Sequence, residues 1–408
     1  MIKVTILFPR SINEPQGLSR VLKMLSDGRN LFNKHGIELN LISRDTIVGE
    51  NITYYEDGRV SLYPTFVAKI RRKLMDILDI LARHFDILAV YRFNKTTFGW
   101  ATKALSYYRK LNDNPDVLLF HDIFTCNEYL KTRDSRNTKV MCMVHSIGIP
   151  GYFINQQSPS LVGTKFYKKI IQIEDFVMNN VDAYGFVSKS SIKNLLECRP
   201  SYNREKLYHV YNGMPDIDIS KKVKSSKIEI ICVAGLCYQK GQWRIIDALI
   251  DVKGKGNSLM LDNLHFTFVG TGDMGSSIKA KIEQHHLSKY VTLVGQSNNV
   301  DDFLLKSTIF ILPTSNDGLP MAIIEAMRAS LPIVSTRIGG IPELIDENVT
   351  GIFIEPSKEG VISFISNIYK FDWNKMGRAS RNKFLNQFTI DAMVAGYSKV
   401  INIITENE

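Results

Sequence analysis

Residues 309–343 read IFILPTSNDGLPMAIIEAMRASLPIVSTRIGGIPEL, and this stretch decides the fold. Ile309–Leu312 is a short apolar run stopped by Pro313, as in a strand buried on both faces. The polar loop Thr314–Gly318 follows. Pro320 takes the place of a first helical residue, where its missing N–H does no harm. Met321–Ala329 has helical character until Pro332 prevents it continuing far, and Pro332–Ser335 reads as the next strand. A helix start reached through such a loop offers backbone N–H groups and the positive end of the helix dipole to an anion. Asp317 and Glu325 bracket that start and can accept hydrogen bonds from sugar hydroxyls in pairs. Taken singly, each reads as a capping Asp or a solvated helix Glu.

The same rhythm of short apolar runs and helical segments extends in both directions. The strand candidates before it are Lys3–Phe8, Glu38–Ile42, Ile87–Tyr91, Val117–Phe120, Lys139–Val144, Ala183–Val187 and Lys206–Val210. The second half adds Ile228–Val233, His265–Val269, Val291–Val294 and Ile352–Ile354. Most are β-branched, bounded by Gly, Pro, Asp or Asn, and followed by a helical pattern, which argues for parallel sheets covered by helices. The break is Asn212–Lys227, which carries Gly213, Pro215 and the basic-serine run Lys221–Lys227 and suits an exposed linker. Two doubly wound sheets joined there would leave a cleft at the carboxyl ends of their strands, where ligands of open α/β sheets bind.

The length of 408 residues fits two domains, and a composition 44% hydrophobic and 23% charged excludes a disordered chain. The start, MIKVTILFPR, is too short and interrupted for a signal peptide, and every apolar run falls far below the ~20 residues of a spanning helix. The expectation is an intracellular protein without a membrane span. Its five cysteines, Cys126, Cys142, Cys198, Cys232 and Cys237, form no CxxC pair and read as reduced thiols; no metal cluster is visible. The net charge of +10 is one-sided: residues 1–214 hold 30 Lys+Arg against 20 Asp+Glu, and residues 215–408 hold 21 of each. A basic first half attracts phosphates, anionic headgroups or nucleic acid, or is simply a solvated surface. Within it, Val67–Phe85 reads as an amphipathic helix: Ile70, Leu74, Ile77, Leu78 and Leu81 recur at helical spacing, behind the cluster Lys69, Arg71, Arg72 and Lys73. That helix either packs its stripe on its own sheet or lies on an anionic membrane.

Other segments carry candidate chemistry. In Ile230–Trp243, IICVAGLCYQKGQW, a strand runs into a loop bearing Lys240-Gly241 before a helix, and a lysine there can neutralise a leaving diphosphate. Val269-Gly270-Thr271-Gly272-Asp273 gives G-x-G after a strand without the third glycine or the acidic residue of a dinucleotide site, which disfavours nicotinamide binding. In the first half, Gly17 opens a helix after the first strand, so backbone can approach a phosphate there. His121-Asp122 and His145-Ser146 each end a strand; a lone histidine is more often structural, two at equivalent edges less so, and His145 is the favoured one.

In their order and spacing, several of these pieces resemble the retaining glycosyltransferases of family 4. They are Gly235…Lys240-Gly241, Val269–Gly272, Val294-Gly295, Leu312–Thr314, Asp317…Glu325-Ala326-Met327 and Gly339–Glu343. The resemblance runs through nearly all of residues 228–356. The first half matches more loosely, through the Gly17 turn, the two histidine edges, Phe186–Ser188 and Asn212-Gly213. The resemblance implies an α/β, GT-B fold: two Rossmann-like domains facing each other across a cleft. Residues 1–214 would bind the acceptor, residues 215–388 the nucleotide sugar, and a helix within 389–408 would cross back onto the first domain. It implies that Lys240 binds the donor diphosphate, that Glu325 holds the ribose hydroxyls, and that Asp317 with the backbone of Gly318, Leu319, Pro320 and Met321 holds the donor sugar. His145 would lie beside the transferred sugar, Gly17 near the phosphates, and Gly295 to Val300 near the base. The donor would be a UDP- or GDP-sugar, with no cofactor and no metal, since the one D-x-D, Asp216-Ile217-Asp218, falls in the linker.

The chain departs from the family in having Asp317 where Glu is usual. It also has Ala234 and Gly235 where a second phosphate-binding Arg is usual; Arg244 and Arg337 are the candidates to replace it. The implied activity is transfer of a sugar to a glycan or lipid-linked glycan in cell-surface polysaccharide biosynthesis, in the cytoplasm and peripherally at the inner face of the membrane. The rival readings are a sugar-nucleotide epimerase or hydrolase of the same fold, and a catalytically weak sugar-nucleotide-binding subunit. Nucleic-acid binding is a distant third reading and no nucleic-acid partner is expected, because no basic motif is interleaved with aromatics.

Overall fold

Every strand of the two large sheets runs parallel to its neighbours. The computed structural model describes residues 1–14, 17–48, 53–54, 60–61, 70, 74, 78, 81, 85–133, 137–152, 154, 158–222, 225–256 and 258–406. The chain divides into two units, Met1–Tyr211 with Ile390–Glu408, and Asn212–Thr389.

The first unit contains β1 (Ile2–Leu7), β2 (Ile37–Ile42), the antiparallel pair β3 (Thr53–Tyr54) and β4 (Val60–Ser61), β5 (Val117–Phe120), β6 (Lys139–Val144), β7 (Ala183–Phe186) and β8 (Leu207–His209). Its six-stranded sheet has the order β2-β1-β5-β6-β7-β8. The second unit contains β9 (Ile228–Val233), β10 (Leu264–Val269), β11 (Val291–Gly295), β12 (Ile309–Leu312), β13 (Ile333–Ser335) and β14 (Gly351–Phe353). Their order β11-β10-β9-β12-β13-β14 is that of the doubly wound nucleotide-binding sheet. The central strands are buried throughout: all four residues of β5, β7 and β12 are, which is why these runs show no polar alternation. Strand order reverses between β1 and β5 in one sheet and between β9 and β12 in the other, so those carboxyl ends are the expected ligand positions.

Ile87–Tyr91 is a correction: it lies in the helix Asp86–Phe93 and pairs with no strand. Its five apolar residues hide a period of four. Ala89 and Phe93 are buried one turn apart, while Ile87 and Tyr91 on the other side are exposed. Asn212–Lys227 begins where the two units divide and has many exposed residues, but part of it is also bound to the second unit. Met214 bridges to Thr389, Arg328 donates to the Pro215 carbonyl, Arg381 holds Asp216, and Lys222 Nζ donates to the Ser330 carbonyl at 2.7 Å. Asp216 and Asp218 are thereby explained structurally, as an ion-pair partner and a helix cap. Pro320 sits one residue before its helix, at the N-cap in extended conformation, with Met321 first in the helix Met321–Arg328. The amphipathic stretch Val67–Phe85 lies largely outside the described residues.

The final helix, Ile390–Glu406, belongs to the first unit. It buries Met393, Val394, Tyr397, Val400, Ile401 and Ile404, and Ile390 packs against Gly28. Burying a large apolar side chain contributes roughly 1.5–3 kcal/mol, so six of them rival the whole stability of a domain, about 5–15 kcal/mol. Ending the chain after Thr389 is therefore expected to abolish cooperative unfolding of the first unit and leave that of the second. Limited proteolysis and thermal circular dichroism of the truncated protein would show this.

Candidate functional site

In the second unit, the loops leaving β9 and β12 flank the switch point, and they are locked together through backbone. Gly241 has φ +80°, and a Cβ there would overlap the Pro313 carbonyl oxygen. Arg244 Nη1 donates to that same carbonyl at 3.1 Å. Thr314 Oγ1 and the Ser315 N–H both donate to the Gln239 carbonyl, at 2.9 and 2.8 Å. From the far side, a Cβ on Gly339 (φ +54°) would overlap the Asp317 carbonyl oxygen, and the Gly340 N–H donates to the Gly318 carbonyl at 2.6 Å. The Gly270-Thr271-Gly272 turn packs likewise on Ala234–Leu236, with the Leu236 N–H donating to the Thr271 carbonyl at 3.0 Å.

This framework brings Lys240 and Asp317 together. Lys240 Nζ donates to both oxygens of the Asp317 carboxylate, at 2.7 and 2.9 Å. The lysine is part-exposed, so the ammonium can exchange its partner for an incoming anion. Gly318 follows part-buried; Leu319 and Pro320 are buried. Met321 begins a helix whose N-terminus carries no side-chain cap. Glu325, one turn further, is only 2% exposed, which rules out a solvated outer-face carboxylate. Gly295, with φ +79°, ends β11, and Val300 opens the helix Val300–Leu305, both at the carboxyl edge of the same sheet. The two candidate replacement cations are engaged elsewhere. Arg244 is buried on Pro313 with its guanidinium 4.6 Å from the Trp243 ring centre. Arg337 pairs with Glu347 and stacks on Phe353.

The first unit places Gly17 at the start of the helix Gly17–Asp27. A Cβ at Gly17 would meet no atom within 4 Å, so packing within this unit does not demand glycine there. His121 and His145, at the ends of β5 and β6, form a pair: His121 Nδ1 lies 3.1 Å from His145 Nε2. Burial, with His145 adding to it, holds the His121 pKa well below the ordinary value, and burial lowers that of His145 to about 4. Both rings are neutral near pH 7, and one proton lies between them. Asp122 caps the next helix, its Oδ1 accepting the Phe124 and Thr125 N–H groups at 3.0 and 2.7 Å. The sequence gives no hint of Glu174: it stands in the helical run KKIIQIEDFV and looks like a surface acid. It lines the same cavity as the two histidines, and burial pushes its pKa up to about 7.

Residues 215–381 match the family model described as glycosyl transferases group 1. Over 132 residues, 30% of this chain and 31% of the relative, the sequence is 34% identical to the amylovoran biosynthesis glycosyltransferase AmsK of Erwinia amylovora. Over 139 residues, 33% of this chain and 35% of the relative, it is 31% identical to the UDP-Gal:alpha-D-GlcNAc-diphosphoundecaprenol alpha-1,3-galactosyltransferase of Escherichia coli. The matched stretch thus spans about a third of the length of either relative. Among solved structures, HepE of Anabaena in complex with UDP-glucose aligns over 99% of this chain and all of its own, with a TM-score of 0.65 and 13% identity. That likeness gives the chain the GT-B fold.

The histidine pair makes stability pH-dependent. A histidine whose folded pKa is lowered stays neutral when folded and takes up a proton when unfolded. Its contribution is complete above pH 6.5 and is lost as pH falls toward 4, at about 1.4 kcal/mol per unit at most for His145. The His145→Gln variant is expected to show a shallower loss of stability than the wild type between pH 6.5 and 4. Urea titrations across that range measure it.

Proposed function

We propose that this protein transfers a sugar from a uridine diphosphate sugar to a glycan or lipid-linked glycan, with retention at the anomeric carbon, in the biosynthesis of a cell-surface polysaccharide. The observation that carries the reading is the Lys240–Asp317 pair at the switch point of the second sheet, beside an uncapped helix start. On this reading Lys240 leaves Asp317 for the donor diphosphate, and the freed carboxylate takes hydroxyls of the donor sugar. The backbone from Gly318 to Met321 adds the positive end of the helix dipole, and Glu325 accepts from the ribose. The leaving diphosphate itself takes the acceptor proton on the face it departs from, so no second carboxylate is required and the scheme asks for no metal. Preorganised positive charge at the departing phosphates then does most of the electrostatic work. His145 acts beside the transferred sugar.

The names of the two relatives and the UDP-glucose held by HepE support the donor and product class. Lys240→Ala is expected to lower the transfer rate by ~10²-fold or more, as loss of a transition-state charge partner does. A near-normal rate with UDP-glucose or UDP-galactose and a membrane-extract acceptor would show that the phosphates are held elsewhere.

A peripheral membrane position is part of the same proposal. No helix among the described residues is long and apolar enough to cross a membrane. Within 67–85, however, Ile70, Leu74 and Leu81 are 47%, 60% and 39% exposed, and Phe85, Ile87 and Tyr91 extend the exposed apolar series. Exposed apolar groups beside Lys69, Arg71, Arg72 and Lys73 suit an anionic lipid surface, where each basic residue contributes ~1 kcal/mol. The protein is expected to sediment with vesicles containing anionic lipid at low salt and to be released at high salt. Replacing Arg71, Arg72 and Lys73 together should release it at low salt; a protein that stays in the supernatant throughout overturns the membrane reading and favours a soluble acceptor.

A further inference from the structure

Arg244, in the first turn of the helix Gln242–Gly254, is a charge buried without a counter-charge. It is 5% exposed. Its Nη1 donates to the Pro313 carbonyl at 3.1 Å, and its Nε is buried with no hydrogen-bond partner among the described residues. Two aromatic faces lie over it: the guanidinium carbon is 4.6 Å from the Trp243 ring centre and 5.9 Å from that of Tyr238. Those two rings stack on one another at 5.2 Å and 19°. Among the described residues no carboxylate pairs with Arg244. The other arginines buried in this unit's framework do have such a partner: Arg328 pairs with Asp301, and Arg381 with Asp216.

Taking a guanidinium out of water is costly unless something compensates it. A carboxylate partner would cancel its field within a few ångströms. A carbonyl dipole and two aromatic faces stabilise the cation and leave its net charge in place. The group stays protonated at pH 7, although burial lowers its pKa. The joint between the loops after β9 and β12 fixes where that charge stands. A Cβ on residue 241 would lie 2.5 Å from Arg244 Nη1, so the guanidinium rests against the backbone next to Lys240. Lys240 itself is balanced by Asp317. The uncancelled charge at this joint is therefore that of Arg244, and the uncapped helix start at Gly241 adds to it with the same sign. A buried charge is little screened by salt, and its pull on a ligand grows with the ligand's negative charge.

We propose that Arg244 is a positioning residue for a diphosphate: without touching the ligand, it clamps the Pro313 carbonyl against Gly241 and supplies, behind Lys240, the uncancelled positive charge that makes this loop prefer a diphosphate to a monophosphate. That the diphosphate is the leaving group of a donor rests on the transfer reading above; the preference for charge rests on the surroundings of Arg244. The test is calorimetric titration of UDP and of UMP into the full chain and into Arg244→Gln and Arg244→Lys. Arg244→Gln keeps an N–H donor for Pro313 and removes the charge; Arg244→Lys keeps the charge. Cooperative unfolding by circular dichroism shows that each variant is folded, and Arg244→Met takes the place of Arg244→Gln if that variant does not fold. The neutral variant is expected to bind UDP about tenfold more weakly and UMP about threefold more weakly, so that the preference for UDP falls about threefold. Arg244→Lys is expected to keep that preference. An equal loss for both nucleotides, which a merely structural clamp gives, overturns the proposal. So does unchanged UDP affinity in the neutral variant, an Arg244→Lys no better than the neutral variant, or a wild type that binds neither nucleotide. A preference that follows the charge at residue 244 in a protein that transfers nothing from a UDP-sugar upholds the role of Arg244 and removes the transfer reading. Transfer by a protein whose preference is the same in all variants does the reverse.

Discussion

The Pro313 carbonyl oxygen occupies the space that a side chain on residue 241 would need, and the second unit is organised around that close approach. Without it the loops after β9 and β12 would stand apart by at least a side chain. With it, Gln239 becomes an acceptor for Thr314 and Ser315, Arg244 closes over the joint, and Lys240 and Asp317 meet across 77 positions of sequence. Gly339 applies the same device to the other end of the loop. The charged groups are thus positioned by backbone packed on backbone, which has few soft degrees of freedom, and long side chains need only bridge the last few ångströms. An electrostatic site gains from such stiffness because its dipoles need not reorganise as charge develops.

Much of this is written in local sequence. The parallel strands were legible because buried strands are short, β-branched and bounded by turn residues, so β5, β6, β9 and β12 coincide with their apolar runs. Ile87–Tyr91 misleads for the same reason. Five consecutive apolar residues carry no period, and only the burial of Ala89 and Phe93 shows the helix. The polar composition of the linker describes its solvent-facing side chains but not that Pro215, Asp216 and Lys222 are bound by partners more than a hundred residues away. In the functional region, Lys240, Asp317 and the glycines stand out because loops at strand ends have characteristic residues. Glu174 does not, because a helical acid facing a cavity and one facing water share the same sequence pattern.

The two units handle polar groups in opposite ways. In the second, opposite charges face one another at a part-exposed edge, where the pair can open at little cost. In the first, burial lowers the pKa values of two imidazoles and raises that of Glu174 to about 7, even with Arg199 3.9 Å from its carboxyl group. A surface made of such groups discriminates by the direction of its donors and acceptors more than by net charge, and an unmatched partner is penalised by the full cost of desolvation. The basic excess of residues 1–214 is not confined to the outside of that unit, since Arg10 and Arg199 line its cavity beside His121, Asp122 and Glu174.

The helix Ile390–Glu406 gives the chain a birth order that differs from its reading order. Residues 212–389 form one continuous unit that can complete itself as it leaves the ribosome. The first unit cannot, because Met393, Tyr397 and Ile401 are made only after residues 212–389. At ~5–20 residues per second, the intervening segment takes about 10–40 s to synthesise. Throughout that interval the sheet of the first unit waits with the seat of the helix Ile390–Glu406 uncovered. The older half of the nascent chain is accordingly the one that needs a chaperone's protection, and the younger half is the first to become native.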